Sequence, residues 1–201
     1  MQDPSPSRGP RPPLTLAEAE GRVDARRART VVLVEGWSDQ AAVETLARRL
    51  GQDLAAAGVV VLPIGGAGNA GAFARHFGPG GRGLRLAGLY DRPEANQFLR
   101  GIAAGQPGFH ACDRDLEDEL IRALGPQAVE RVIEAEGEWG AWCRFLAQPA
   151  RRGRAVQDQL RRFMGTRANR KLRYGALLAE ALPLDALPEP LARLLQDLRP
   201  A

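Results

Sequence analysis

A regular alternation of short apolar segments with longer amphipathic ones, within the first 125 residues, most constrains the fold. The apolar segments are four to seven residues long and mostly β-branched or leucine-rich, as expected of buried strands: Thr30–Val34, Gly58–Ile64, Leu84–Tyr90 and Phe109–Cys112. The intervening segments have helical spacing, and helices are predicted over 16–29, before the first strand, and over 95–104, between the third and fourth strands. Parallel strands are joined through helical crossovers, so the alternation predicts an α/β fold with a mostly parallel four-stranded sheet flanked by helices.

Two regions flank this α/β pattern. From about residue 127 onward the spacing is helical throughout, and it predicts helices over 127–136, 139–147, 155–164, 170–181 and 188–198. The first 14 residues are rich in proline, serine and arginine and predict a disordered tail. The predicted organisation is therefore a tail (1–14), an α/β domain (15–125) and an all-helical C-terminal appendage packed on it (126–201).

Composition narrows the class of protein. The 28 basic and 24 acidic residues give a net charge of +4, which is compatible with a polyanionic partner. No apolar run approaches the roughly 20 residues that span a bilayer, and the N-terminus lacks a secretory signal, so we expect a cytoplasmic protein with no membrane partner. Two cysteines, Cys112 and Cys143, are too few for a disulfide framework and are expected to be reduced thiols.

Acidic residues follow three of the four predicted strands. Glu35 and Asp39 follow the first strand, Asp91 follows the third, and a group that includes Asp115 and Glu117 follows the fourth. The carboxyl ends of parallel strands share one edge of a sheet, so these groups should converge, and a cation would relieve their repulsion. Carboxylate oxygens suit one or two Mg²⁺ or Mn²⁺ ions. The structural alternative is that acidic residues favour helix starts and turns.

A glycine-rich loop follows the second predicted strand. Gly65, Gly66, Gly68 and Asn69 could direct backbone N–H groups towards a phosphate. The alternative is a tight strand-to-helix loop that needs glycine for its positive φ angles. The loop lacks a lysine, and the two interpretations remain open.

A cluster of basic residues lies between positions 151 and 173, in the helical half of the chain. Lys171 is the single lysine among the 28 basic residues, which makes it a candidate for a specific role. The candidates for contact with a nucleic-acid backbone are Arg151, Arg152, Arg154, Arg167 and Arg170. The alternative for both is a solvated helix surface.

Several segments resemble the motifs of Toprim domains. The segments VLVEGWSDQAAVETLA, LAGLYDRPEA and CDRDLEDELIRALG resemble the opening motif, the Asp-x-Asp strand end and the late acidic motif of the Toprim region in OLD-family (overcoming-lysogenisation-defect) nucleases. IGGAGN resembles the second, glycine-rich loop of the same group, and the trailing RKLRYGALLAEAL extends the similarity to about residue 182. The sequence contains no phosphate-binding G-x-x-x-x-G-K-[ST] motif, so the layout is similar to the ATPase-free Toprim nucleotidyl-transferase/hydrolase type.

The resemblance implies roles for the acidic residues of the first and third strands. Glu35 matches the family glutamate that binds metal or acts as general acid and base, and Asp39 matches its acidic partner. Asp91 matches the first aspartate of Asp-x-Asp. Pro93 stands where the second aspartate would be, which puts a second metal site in doubt, and Glu94 is the adjacent acidic replacement.

The resemblance also implies an activity. Asp115 and Glu117 match acidic positions associated with a second metal, and Lys171 matches a lysine that stabilises charge at the scissile phosphate. The function implied is phosphodiester hydrolysis or nucleotidyl transfer dependent on Mg²⁺ or Mn²⁺, on nucleic acid, DNA more readily than RNA. A homodimer and a separate ATPase subunit are further partners that the resemblance suggests. The alternatives are a non-catalytic nucleic-acid- or nucleotide-binding module and a subunit of a larger DNA-processing complex.

Overall fold

The computed structural model describes residues 11–102 and 106–199, apart from the side chain of Ala168. Its four strands form one sheet: β1 (Thr30–Val34), β2 (Val59–Pro63), β3 (Arg85–Asp91) and β4 (Phe109–Cys112). The strand order is β2-β1-β3-β4, and every neighbouring pair is parallel. The predicted parallel four-stranded α/β fold is therefore confirmed.

The described part of the chain contains ten α-helices, which flank this sheet. They are α1 (Leu16–Ala25), α2 (Trp37–Arg49), α3 (Ala70–Phe77), α4 (Ala95–Phe98), α5 (Leu116–Leu124), α6 (Pro126–Ala135), α7 (Trp139–Leu146), α8 (Val156–Met164), α9 (Ala168–Ala181) and α10 (Glu189–Asp197). The five C-terminal helices agree with their predicted bounds to within two residues. None of the described helices is both long enough and apolar enough to cross a membrane.

The side chains of β1 alternate between two apolar clusters, as expected for a strand covered on both faces. Val32 and Val34 belong to a cluster that also contains buried side chains of α2 and of each helix from α5 to α10. Val31 and Leu33 belong to the other cluster, together with side chains of α1 and α3. The C-terminal helices thus share one core with a face of the sheet, and the domain boundary at residue 125 stays a prediction.

Two predicted helices are shorter in the structure. The helix predicted over 16–29 ends at Ala25, and Arg27 adopts a positive φ of 47°, which breaks the helical path. The helix predicted over 95–104 is α4 alone, followed by a 3₁₀ turn over Leu99–Gly101. Residues 103–105 lie outside the described part of the chain.

The predicted tail differs from the structure at its C-terminal end. Residues 1–10 lie outside the described residues, but residues 11–14 lie against the body of the protein. Leu14 is 6% exposed and packs in the second apolar cluster. The indole Nε1–H of Trp37 donates to the carbonyl oxygen of Pro12 at 3.0 Å. The prediction of a disordered tail is therefore not supported for these four residues.

Candidate active site

The carboxyl ends of β1 and β3 bring two of the predicted residues into contact. Glu35 directly follows β1, Asp91 ends β3, and the backbone N–H of Asp91 donates to Oε1 of Glu35 at 3.2 Å. Burial, followed by the charges of Glu35 and Asp39, raises the pKa of Asp91 to about 8. Burial also raises the pKa of Glu35, and the charge of Glu94 adds to it. These carboxyl groups therefore share one partly dehydrated, acidic environment.

Asp39 joins the same environment from the first turn of α2. Its Oδ2 accepts a hydrogen bond of 2.7 Å from the N–H of Gly36, which gives it a structural role at the start of the helix. Burial and the charge of Glu117 raise the pKa of Asp39 to about 7, although Lys171 opposes this. Asp39 therefore serves the helix start and also contributes charge to the site.

The beginning of α5 supplies two further carboxylates. Asp115 caps the helix by accepting the N–H of Asp118 at 2.8 Å, and its second oxygen accepts from Nε of Arg161 at 2.5 Å. Glu117 is 4% exposed, and its Oε1 lies 3.3 Å from Nζ of Lys171. That oxygen is buried, and its ion pair with Lys171 supplies its basic partner. Both carboxylates are thus balanced by a basic side chain.

A close helix contact places Lys171. Gly175 of α9 lies so near to α2 that a Cβ atom there would be 2.5 Å from the carbonyl oxygen of Ser38. Lys171 is one turn earlier on the same face of α9, so the approach of the two helices carries it to the acidic residues. Burial lowers the pKa of Lys171, but the carboxylates of Glu117 and Asp39 outweigh it, and the pKa is raised.

An open cavity of about 360 Å³ lies next to these acidic residues, where α5, α8 and α9 meet. It is lined by Asp115, Glu117, Arg161, Arg162, Gly165 and Lys171. Arg161 and Arg162 were not among the predicted site residues, since their spacing in the sequence is that of any amphipathic helix. Contact with Asp115 across 46 positions of sequence is what distinguishes Arg161.

The site contains the donors of a hard cation, but they are paired with basic groups. Across residues 11–102 and 106–199, no three acidic, histidine or cysteine side chains are arranged to hold a metal ion as they stand. Arg161 and Lys171 occupy the positions next to the carboxylates of Asp115 and Glu117. The all-carboxylate donor set, which includes the buried Oε1 of Glu117, fits Mg²⁺ or Mn²⁺. A cation at Asp115 or Glu117 would compete with Arg161 or Lys171 for the carboxylate.

Pro93 lies in the 3₁₀ turn that directly follows β3. The turn spans Arg92–Glu94, and Pro93 and Glu94 are both exposed. Glu94 is close enough to act on the charge of Glu35. Glu94 therefore has a carboxylate near the other acidic residues, whereas Pro93 has no side-chain group that could bind a metal.

The glycine-rich loop after β2 uses its backbone N–H groups within the protein. The N–H groups of Gly65 and Gly66, at φ of 78° and 108°, donate to the backbone carbonyl of Glu35 at 2.9 and 3.0 Å. The side chain of Asn69 donates to a backbone carbonyl just after β2 at 2.8 Å. A Cβ at Gly68 would meet a side chain of α4 at 2.7 Å. The loop therefore holds the backbone of Glu35, and its interpretation as a phosphate-binding loop stays a prediction.

Arg170 differs from the other predicted nucleic-acid contacts. It is 7% exposed, its guanidinium donates to the carboxylate of Glu138 at 2.9 to 3.2 Å, and it lies 4.1 Å over the ring of Phe163. A buried, paired guanidinium stabilises the helical half and is not available to a phosphate. The prediction for Arg170 is therefore not supported.

The remaining four candidates lie on the segments that flank α8. Arg152, Arg154 and Arg167 are exposed, whereas Arg151 is half-buried with its guanidinium 4.4 Å over the ring of Phe145. They remain candidates for contact with a nucleic-acid backbone.

Comparison with known proteins adds to this geometry. Residues 28–91 match the family model for the Toprim domain of overcoming-lysogenization-defect-like proteins. The C-terminal region of the Burkholderia pseudomallei OLD protein is 21% identical, with a TM-score of 0.64, and the match covers 86% of this chain and 97% of that one. The C-terminal region of the Xanthomonas campestris pv. campestris OLD protein is 22% identical, with a TM-score of 0.67, and the match covers 87% and 94% of the two chains.

No curated protein matches the sequence significantly. The predicted resemblance is confirmed in sequence over 28–91 and in fold over most of the chain. Residues 28–91 are therefore similar to the Toprim domain of OLD-like proteins, and most of the chain has the fold of the C-terminal region of OLD proteins.

Proposed function

We propose that this protein hydrolyses phosphodiester bonds in nucleic acid with the help of Mg²⁺ or Mn²⁺. The observation that carries the proposal is the contact between Glu35 and the backbone of Asp91, in an environment that raises the pKa of both carboxyls. Repulsion between such groups persists unless protons or cations neutralise them. The match to the OLD-like Toprim model favours metal over protons as the physiological partner.

The acidic residues divide into two sets in this proposal. Asp39 and Asp91 would hold a first ion, and Asp115 and Glu117, which contact Arg161 and Lys171 in the structure, would hold a second. When bound, the ions supply Lewis-acid stabilisation of charge on the phosphate oxygens.

The remaining chemistry comes from side chains of the protein. Glu35 accepts a proton from the attacking water, a task suited to a carboxyl whose pKa is raised towards neutrality. Lys171 is charged at neutral pH because its pKa is raised, and it stabilises the negative charge that develops on the phosphate. Arg152, Arg154 and Arg167 contact the backbone of a nucleic acid, DNA in preference to RNA.

A cleavage assay tests this proposal. The substrates are supercoiled plasmid, linear duplex DNA, single-stranded DNA and RNA, each with Mg²⁺, Mn²⁺ or EDTA. The parent is compared with Glu35→Gln and with Glu44→Gln, a matched change on α2 outside the acidic set. We expect metal-dependent cutting by the parent and by Glu44→Gln only. Equal cutting by Glu35→Gln would refute the assignment.

A second candidate is a non-catalytic nucleic-acid-binding module or a subunit of a larger DNA-processing complex. Pro93 at the second Asp-x-Asp position favours it, as does the pairing of Asp115 with Arg161. It predicts salt-dependent binding of nucleic acid without cleavage in any divalent metal. A homodimer and a separate ATPase subunit remain proposals for either function, which co-purification and sedimentation would test.

A further inference from the structure

The N-terminal segment of residues 11–14 is fixed on the protein beside the acidic site. Arg11 lies with its guanidinium carbon 4.4 Å from the ring centre of Trp37, and the carbonyl of Pro12 accepts the indole N–H of the same residue. Pro13 lies against Gly65, where a Cβ would be 2.6 Å from the proline Cβ. Leu14 is buried. Each of the four successive residues thus contacts the rest of the protein, and these contacts fix the position of the segment.

This N-terminal segment places the side chain of Arg11 at a small pocket. Arg11, Trp37 and Lys171 line a pocket of about 170 Å³, together with the first turn of α2. The helix dipole is positive at this end of α2, where the N–H of Gly36 already donates to the carboxylate of Asp39. Arg11 and Lys171 add two side-chain cations that come from opposite ends of the chain. Among the described residues these two cations, and no carboxylate, line the pocket, so its lining suits an anion.

We propose that this pocket binds a backbone phosphate of the nucleic-acid strand, and that Arg11 is one of its ligands. The inference rests on the proposed function, because Lys171 also faces the carboxylates where cleavage is expected. A phosphate held here is therefore a neighbour of the phosphate that is cut. Trp37 acts as a positioning residue: its ring holds the guanidinium and its N–H holds the backbone of the segment.

The chain offers a matched control for Arg11. Arg22 of α1 also lies over the ring of Trp37, at 5.0 Å, but does not line the pocket. Arg11→Ala and Arg22→Ala remove the same charge and the same kind of ring contact. Only the first removes a cation from the pocket, and Arg11→Lys restores a positive charge there.

The test is binding of a labelled oligonucleotide in EDTA, where cleavage does not interfere, over a range of salt concentrations. Arg11→Ala should weaken binding about three- to ten-fold and reduce the slope of log K against log salt by roughly 0.7 to 0.9, the value for one phosphate contact. Arg11→Lys should recover the slope, Trp37→Phe should lose part of it, and Arg22→Ala should leave it unchanged. Equal effects of Arg11→Ala and Arg22→Ala, or no effect of either, would overturn the inference.

The outcomes separate this inference from the proposed catalysis. A parent that binds through Arg11 but cuts nothing keeps the phosphate pocket and refutes the nuclease. A parent that cuts while Arg11→Ala binds and cuts equally well keeps the nuclease and refutes the pocket. Absence of binding by the parent contradicts both.

Discussion

Nζ of Lys171 lies 3.3 Å from Oε1 of Glu117, a contact that joins α9 to the acidic end of α5. The lysine side chain is about half exposed, but its loss leaves the buried carboxylate of Glu117 without its basic partner, so the Tm of each variant is measured beside its activity. Lys171→Met should lower the single-turnover cleavage rate by roughly 10²- to 10³-fold, the usual loss for a group that stabilises transition-state charge.

The arginine variant makes this prediction more specific. Lys171→Arg keeps the charge but not the compact ammonium, and we expect it to recover little of the rate. Comparison of KM with kcat separates binding from chemistry. A fully active Lys171→Arg variant would show that only the charge of Lys171 matters, and a fully active Lys171→Met variant would remove Lys171 from the mechanism.

The contact of Gly175 with Ser38 predicts a change in stability. Gly175→Ala places a Cβ 2.5 Å from a carbonyl oxygen and should force α9 away from α2, at a cost of about 1–3 kcal/mol in the free energy of unfolding. Gly21→Ala is the matched control in α1, because no atom lies within 4 Å of its Cβ, and it should stabilise by about 0.5–1 kcal/mol. Urea denaturation measures both. Equal stability of the two variants would refute the close approach.

The raised pKa values predict how stability changes with pH in the absence of metal. The pKa values of Asp39 and Asp91 are about 7 and 8 in the folded protein, above the value of about 4 in an unfolded chain. The folded state therefore binds more protons between these limits, and the free energy of unfolding falls as pH rises through 7 to 8. We expect a lower Tm at pH 8.5 than at pH 6, by a few degrees.

Asp91→Asn supplies the control for this pH dependence. The amide cannot ionise, so the variant should lose less stability than the parent between pH 6 and pH 8.5. Identical pH profiles of Tm for parent and variant would show that Asp91 is not the source of the effect.

Pro93 stands where a second aspartate is expected, and Glu94 is the adjacent carboxylate that could take its place as a metal ligand. If Glu94 replaces the second aspartate, Glu94→Gln should weaken binding of Mn²⁺ about ten-fold or more, as ligand changes commonly do. The double variant Pro93→Asp, Glu94→Gln should restore it. Mn²⁺ affinity unchanged in Glu94→Gln would mean that no carboxylate substitutes at this position.

Local sequence patterns were sufficient for the sheet and for much of the acidic set. The β-branched run of β1 and the glutamate directly after it determine where Glu35 lies, because parallel strands end at one edge. The close contact of its side chain with the backbone of Asp91 follows from the adjacency of β1 and β3.

Long-range packing explains what the sequence did not reveal. Arg161 reaches Asp115 only because α8 packs beside α5, and Lys171 reaches the site because Gly175 permits close contact with α2. Arg170 has the same residue type and spacing as an exposed arginine, yet Glu138 and Phe163 bury it. Pairings of this kind depend on the orientation of whole helices, which hydrophobic periodicity does not specify.

Calorimetric titration of the protein with Mn²⁺ at pH 7.5, in buffers of different ionisation enthalpy, tests most directly whether the carboxylates at the sheet edge form a metal site. Asp91→Asn is compared with Asp185→Asn, an exposed control between α9 and α10. We expect the parent and Asp185→Asn to bind Mn²⁺ with release of protons, because raised pKa values leave protons to displace, and Asp91→Asn to bind at least about ten-fold more weakly. Absence of binding by the parent, or equal binding by Asp91→Asn, would contradict it.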